Sequence, residues 1–105
     1  MENSLTFTTL KERLDQGIPT VIIDVRSKEE FAAQHILQAV NIPLDLLEQI
    51  APLLEKERFY VTACGKGGGR STEAANALMS FGLHAFWLEG GTIGWYEQGN
   101  ENKTE

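Results

Sequence analysis

The sequence predicts an α/β fold, with a parallel sheet covered by helices on both faces, and three observations lead there. Runs rich in β-branched and aromatic residues recur at 21–23, 58–62 and 84–88. Stretches of helical periodicity stand between them. The run Val21-Ile22-Ile23 is continuous rather than alternating, which is the pattern of a strand buried on both faces. Strands recurring between helices need crossover connections, and these impose parallel pairing.

The elements follow in order. After a polar start, Thr8 or Thr9 can cap a short helix with Leu10 and Leu14 on one face and Glu12 at the capping-box position for Thr9. Gly17 and Pro19 end it. The first strand follows at 21–23 and leaves Asp24 and Arg26 at or just beyond its carboxyl end. Ser27 and Glu30 stand at capping-box spacing and open the next helix. Residues 39–43 suit only a small edge strand, because Pro43 limits its length. A brief helix over 44–50 precedes the second strand at 58–62. From Ser71, Ala74, Ala75, Leu78 and Met79 share one apolar face of a helix that Gly82 stops. The third strand, His84 to Leu88, leads through Glu89-Gly90-Gly91 to a short helical stretch with Trp95 and Tyr96. Residues 100–105 form a polar tail expected to fray.

At 105 residues the chain has the size of one domain, 1–105, and 42% hydrophobic with 23% charged residues is the composition of a folded one. A net charge of -6 works against nucleic acid or an anionic membrane as partner. One cysteine provides neither an internal disulfide nor a four-cysteine metal site, and nothing calls for a metal or another cofactor. No apolar run reaches signal-peptide or membrane-spanning length, so the expected location is cytoplasmic, with the thiol reduced.

One segment carries chemistry: Cys64-Gly65-Lys66-Gly67-Gly68-Gly69-Arg70-Ser71, between a predicted strand and a predicted helix. Its four glycines allow a tight curl whose successive backbone amides point inward as an anion cradle. The helix beginning near Ser71 adds unpaired amides and its positive end, and Lys66 and Arg70 add charge. A cysteine there is favoured as thiolate, the reactive form. The sulfur is expected near the centre of a bowl of amides from Gly65 through Ser71, open to solvent. A lone cysteine at a strand end is more often a small buried hydrophobe, but glycines that contribute no packing need another purpose. A Walker loop is excluded, since Gly67 follows Lys66 where Ser or Thr is required. So is a dinucleotide site, since the loop does not open a full Rossmann unit.

Three segments together resemble the rhodanese family over roughly residues 6–98. VIIDVRSKEEFAAQHILQAVNIP is similar to its N-terminal signature, CGKGGGRS to its active-site loop, and EGGTIGW to its C-terminal signature. The resemblance implies a rhodanese-like three-layer domain with a five-stranded, mostly parallel sheet flanked by helices. It implies Cys64 as the residue that carries sulfane sulfur, with Gly65, Lys66, Gly67, Gly68, Gly69, Arg70 and Ser71 around the substrate. Asp24 and Arg26 would form a polar arrangement that positions neighbouring loops, and Glu30, His35 and Asn41 would fix the first half of the fold. His35 reads as a structural histidine at a helix end rather than a proton carrier, and Trp87 and Trp95 as packing residues.

The activity so implied is a sulfurtransferase. Sulfane sulfur would pass from thiosulfate or another small donor, through a Cys64 persulfide, to a thiol, cyanide or a protein acceptor. One feature departs from the pattern: Cys64 to Arg70 spans seven residues where most of the family's sulfurtransferases have six. Seven is the Cys-x5-Arg length of phosphatases that share the fold, so a phosphatase or arsenate-handling enzyme is the alternative. A catalytically idle binding module is a third reading.

Overall fold

The computed structural model describes residues 3–101. Five strands, β1 (Ser4–Leu5), β2 (Val21–Asp24), β3 (Val40–Asn41), β4 (Phe59–Ala63) and β5 (His84–Leu88), form one sheet in the order β1-β5-β4-β2-β3. All four pairings are parallel. Five helices, α1 (Phe7–Asp15), α2 (Lys28–Ala33), α3 (Leu44–Ile50), α4 (Gly69–Ser80) and α5 (Gly91–Glu101), flank it, with a 3-10 turn at Ala51–Leu53. The chain therefore has the three-layer α/β architecture expected of it.

Alternation along the strands divides the core in two. Ile23, Tyr60 and Ala85 face one way and pack with Leu47 of α3 and with Ala74, Ala75 and Leu78 of α4. Ile22, Val61, Ala63 and Leu88 face the other way, against Leu10 of α1 and Trp95 of α5. Burial on both faces explains why the run at 21–23 is apolar throughout.

Several boundaries differ from the sequence reading. Helix α1 is capped by Thr6, whose hydroxyl accepts from the Thr9 N–H at 3.1 Å, rather than by Thr8 or Thr9. The earlier cap brings Phe7 into the helix, where its ring is buried 4.9 Å from Trp95. Strand β1 lies in the stretch read only as a polar start. Two residues are too few to show a period, and what makes them a strand is register with Trp87 and Leu88 of β5. Helix α4 starts at Gly69, ahead of Ser71, and α5 is longer than the short stretch expected, reaching Glu101. The rest of the polar tail, residues 102–105, lies outside the described residues.

Candidate active site

Strand β4 delivers its last residue, Ala63, to the middle of the sheet's carboxyl edge, and the glycine-rich loop leaves from there into α4. Gly67, Gly68 and Gly69 all have positive φ, at 90°, 69° and 41°, so the chain turns back on itself within three residues. Among the described residues, no backbone carbonyl accepts from the amides of Gly65 through Arg70. They form six consecutive unspent donors, continued by a helix that has no side-chain cap.

The Cys64 thiol is free and only 4% exposed, so the sulfur is closed in rather than open as expected. Its Sγ lies 3.4 Å from both the Gly68 carbonyl oxygen and Ser71 Oγ. The Gly68 oxygen also accepts from the Ser71 hydroxyl at 2.9 Å and from the Ser71 and Thr72 amides at 3.0 and 3.3 Å. Ser71 therefore contributes a hydroxyl beside the sulfur, while its amide, expected in the bowl, is spent on Gly68. With its own hydrogen committed to Gly68, Ser71 Oγ is left to accept from the thiol. Thr62 Oγ1 donates to the Ser71 carbonyl at 2.7 Å inside the core and fixes the start of α4 against β4.

The loop is held from outside by α5. The Thr92 N–H donates to the Cys64 carbonyl at 2.8 Å and the Ile93 N–H to that of Gly65 at 2.9 Å. This requires two backbones to touch. A Cβ on Gly91 would stand 2.5 Å from the Cys64 oxygen, and one on Gly67 would stand 2.7 Å from the Gly90 nitrogen. Sequence reasoning gave Gly91 and Thr92 no role of their own. The signal was there in the paired glycines directly after an aromatic strand.

Two ion pairs stand next to the loop. Asp24 and Arg26 are both buried, and the guanidinium meets the carboxylate at 2.8 and 2.9 Å while reaching the Gln34 carbonyl at 2.6 Å. Asn41 Nδ2 donates to the carbonyls of Asp24 and Arg26, both at 3.0 Å, tying β3 to the same turn. The Arg26 pKa is raised, mainly by the hydrogen bond with Asp24 and against the lowering effect of burial. The second pair crosses 40 residues of sequence: Arg70 Nη1 and Nη2 donate to Glu30 at 3.0 and 3.4 Å. Glu30 also accepts from the Ser27 N–H at 2.9 Å while Ser27 Oγ caps α2, so one carboxylate serves a capping box and an ion pair. Arg70 and the Ser27 amide together hold the Glu30 carboxyl at about 2, well below its usual range. The Arg70 pKa is raised, first by the Glu30 hydrogen bond, with weaker charge effects from Glu30, Cys64 and Asp24.

Lys66 is exposed and makes no ion pair among the described residues. His35 stays away from the loop, with its ring stacked 3.8 Å from Phe31 and Nδ1 2.8 Å from the Phe31 carbonyl. The Tyr96 hydroxyl donates to its carbonyl, linking α5 to the end of α2. Trp95 packs on Phe7, and Trp87 lies on β5 beside the core.

A model of the rhodanese-like domain matches residues 6–98, most of the chain. The chain belongs to the rhodanese-like family. Among its relatives, a sulfurtransferase of Allochromatium vinosum is 30% identical over 100 residues that make up 94% of this chain and 92% of that one. The Arabidopsis thaliana protein HIGH ARSENIC CONTENT 1, mitochondrial, is 33% identical over 90 residues, 73% of this chain. The match covers only about half of the Arabidopsis protein, 53% of its length. A human single domain sulfurtransferase superposes with a TM-score of 0.82 at 27% identity, covering 93% of this chain and 98% of its own. Sulfurtransferases thus share the rhodanese-like fold of this chain almost from end to end. No helix among the described residues is long and apolar enough to cross a membrane.

Proposed function

We propose that this rhodanese-like chain is a sulfurtransferase that carries sulfane sulfur on Cys64. The observation that carries the reading is a free thiol at the head of a loop whose six amides, Gly65 through Arg70, have no carbonyl partner among the described residues. Cys64 thiolate attacks the outer sulfur of thiosulfate, the S–S bond breaks, and sulfite leaves with the bonding pair. The extra sulfur stays on Cys64 as a persulfide, stabilised by the amides, until a thiol, cyanide or a protein thiolate collects it. Ser71 supports both states of the sulfur: its hydroxyl accepts from the thiol, and on rotating it donates to the thiolate.

The Cys-x5-Arg count and the arsenic in the name of the Arabidopsis relative favour a second reading, in which the same cradle handles phosphate or arsenate. That chemistry wants the guanidinium on the oxyanion. Here it is engaged by Glu30, and arsenate reduction would need a second thiol, which the sequence does not provide. A paired assay decides between them. Thiosulfate with cyanide should yield thiocyanate in a Cys64-dependent way, while an aryl phosphate should be turned over far more slowly. Faster turnover of the phosphate, lost in Cys64→Ser, would reverse the ranking. Absence of both activities would leave the binding-module reading.

A further inference from the structure

Arg70 follows the loop directly, on the second residue of α4, and its guanidinium meets an anion of the chain's own, the Glu30 carboxylate. Glu30 is fixed in place by the Ser27 N–H. The other guanidinium nearby, that of Arg26, is likewise neutralised by Asp24. Of the three cations that face a cleft of about 760 Å³ between the turn after β2, α3 and α4, Arg26, Lys28 and Arg70, only Lys28 makes no ion pair among the described residues. The pair Arg70–Glu30 is nearly half exposed, with side-chain exposures of 44% and 43%, so a ligand can reach it and compete for it.

We infer that Glu30 is a specificity-determining residue, a tethered anion that occupies the fork of Arg70 and biases the loop away from oxyanion donors toward alkyl persulfide donors, which carry no oxyanion group. The inference rests on the sulfurtransferase reading of the loop and names its donor class. A thiosulfate, phosphate or arsenate dianion gains the guanidinium only by displacing Glu30. An alkyl hydropersulfide needs no guanidinium: Cys64 thiolate bonds to its outer sulfur, the S–S bond breaks, and the alkyl thiolate leaves with the bonding pair. The hydropersulfide proton remains on the transferred sulfur, so the step is balanced with no outside oxidant or reductant. An exposed ion pair is a modest competitor, so the bias is a matter of a few-fold rather than of orders of magnitude.

Glu30→Gln is the informative substitution, because Gln also serves at the third position of a capping box and keeps the bond to the Ser27 amide while losing the charge. In Glu30→Gln the KM for thiosulfate should fall about five-fold, with the KM for an alkyl persulfide unchanged. Inorganic phosphate, followed by equilibrium binding to the resting protein, should bind more tightly by a similar factor. The double variant Glu30→Gln with Arg70→Gln should cancel both gains, which a purely structural role for Glu30 would not do. Should Glu30→Gln fold poorly, Arg70→Gln alone decides: with the fork already occupied, phosphate affinity should change less than two-fold from wild type. Phosphate affinity indifferent to Glu30→Gln, or a large loss of it in Arg70→Gln alone, would overturn the inference. The phosphate titration needs no sulfur transfer, so failure of both donors to load Cys64 would sink the sulfurtransferase reading while the titration still ruled on Glu30.

Discussion

The backbone N–H of Thr92 donates to the carbonyl of Cys64 at 2.8 Å, so the helix after the last strand grips the loop at the residue proposed to react. Gly91 makes the approach possible, with φ of 60° and no room for a side chain against the Cys64 and Gly65 oxygens. Gly91→Ala combines a backbone clash with left-handed strain and should destabilise the fold by about 2 kcal/mol or more. Denaturant unfolding checks the loss. Sulfur loading should fall as well, since the loop must move to relieve the contact.

Asp24 and Arg26 are a buried pair whose members also orient Gln34 and Asn41. Removing one partner strands the other without a counter-charge, so Asp24→Ala should cost on the order of 3–5 kcal/mol. Unfolding midpoints measure this. A loss below about 1 kcal/mol would mean that the Arg26 guanidinium reaches water.

Glu30 gives a pH dependence with a defined sign. Its carboxyl sits at about 2 in the folded chain against an ordinary 4.5. A depressed folded value means that the stabilisation is present above the ordinary value and fades as pH falls toward the folded one. Between those two limits wild type should lose stability more steeply on acidification than Glu30→Gln, and above the upper one the two slopes should run parallel. Urea midpoints taken across the range test it. Equal slopes throughout would show that the ion pair does not form in solution.

Ser71 Oγ stands 3.4 Å from Cys64 Sγ and 2.9 Å from the Gly68 carbonyl oxygen. Ser71→Ala leaves the Gly68 oxygen its amide partners, so stability should drop by only about 1 kcal/mol. The rate of sulfur loading should fall about ten-fold, the size of one hydrogen bond to the reacting sulfur. Stopped-flow loading with thiosulfate measures it, and an unchanged rate would remove Ser71 from the site.

The parts of this molecule written in local chemistry were legible in advance. The Ser27 and Glu30 capping box, the strand His84 to Leu88 and the helix Leu44 to Ile50 stand where the sequence puts them, because caps, branched residues and turns act over a few positions. Strand β1 was not legible, since Ser4 and Leu5 owe their conformation to β5, some eighty residues away. The candidate site divides in the same way. The glycine loop announced itself, but the Glu30 partner of Arg70 and the clamp of Thr92 on Cys64 are long-range pairings with no local pattern. The closed position of the Cys64 sulfur likewise depends on Gly68 and Ser71 folding back over it, which composition does not encode.

The most direct measurement is the intact mass of the protein after incubation with a sulfane donor, followed by removal of the excess. With thiosulfate, and with an alkyl persulfide, the wild-type chain should gain the mass of one sulfur atom, return to its starting mass when cyanide is added, and gain nothing as Cys64→Ser. A wild-type mass unchanged by either donor, or a gain that persists in Cys64→Ser, would contradict sulfur carriage on Cys64.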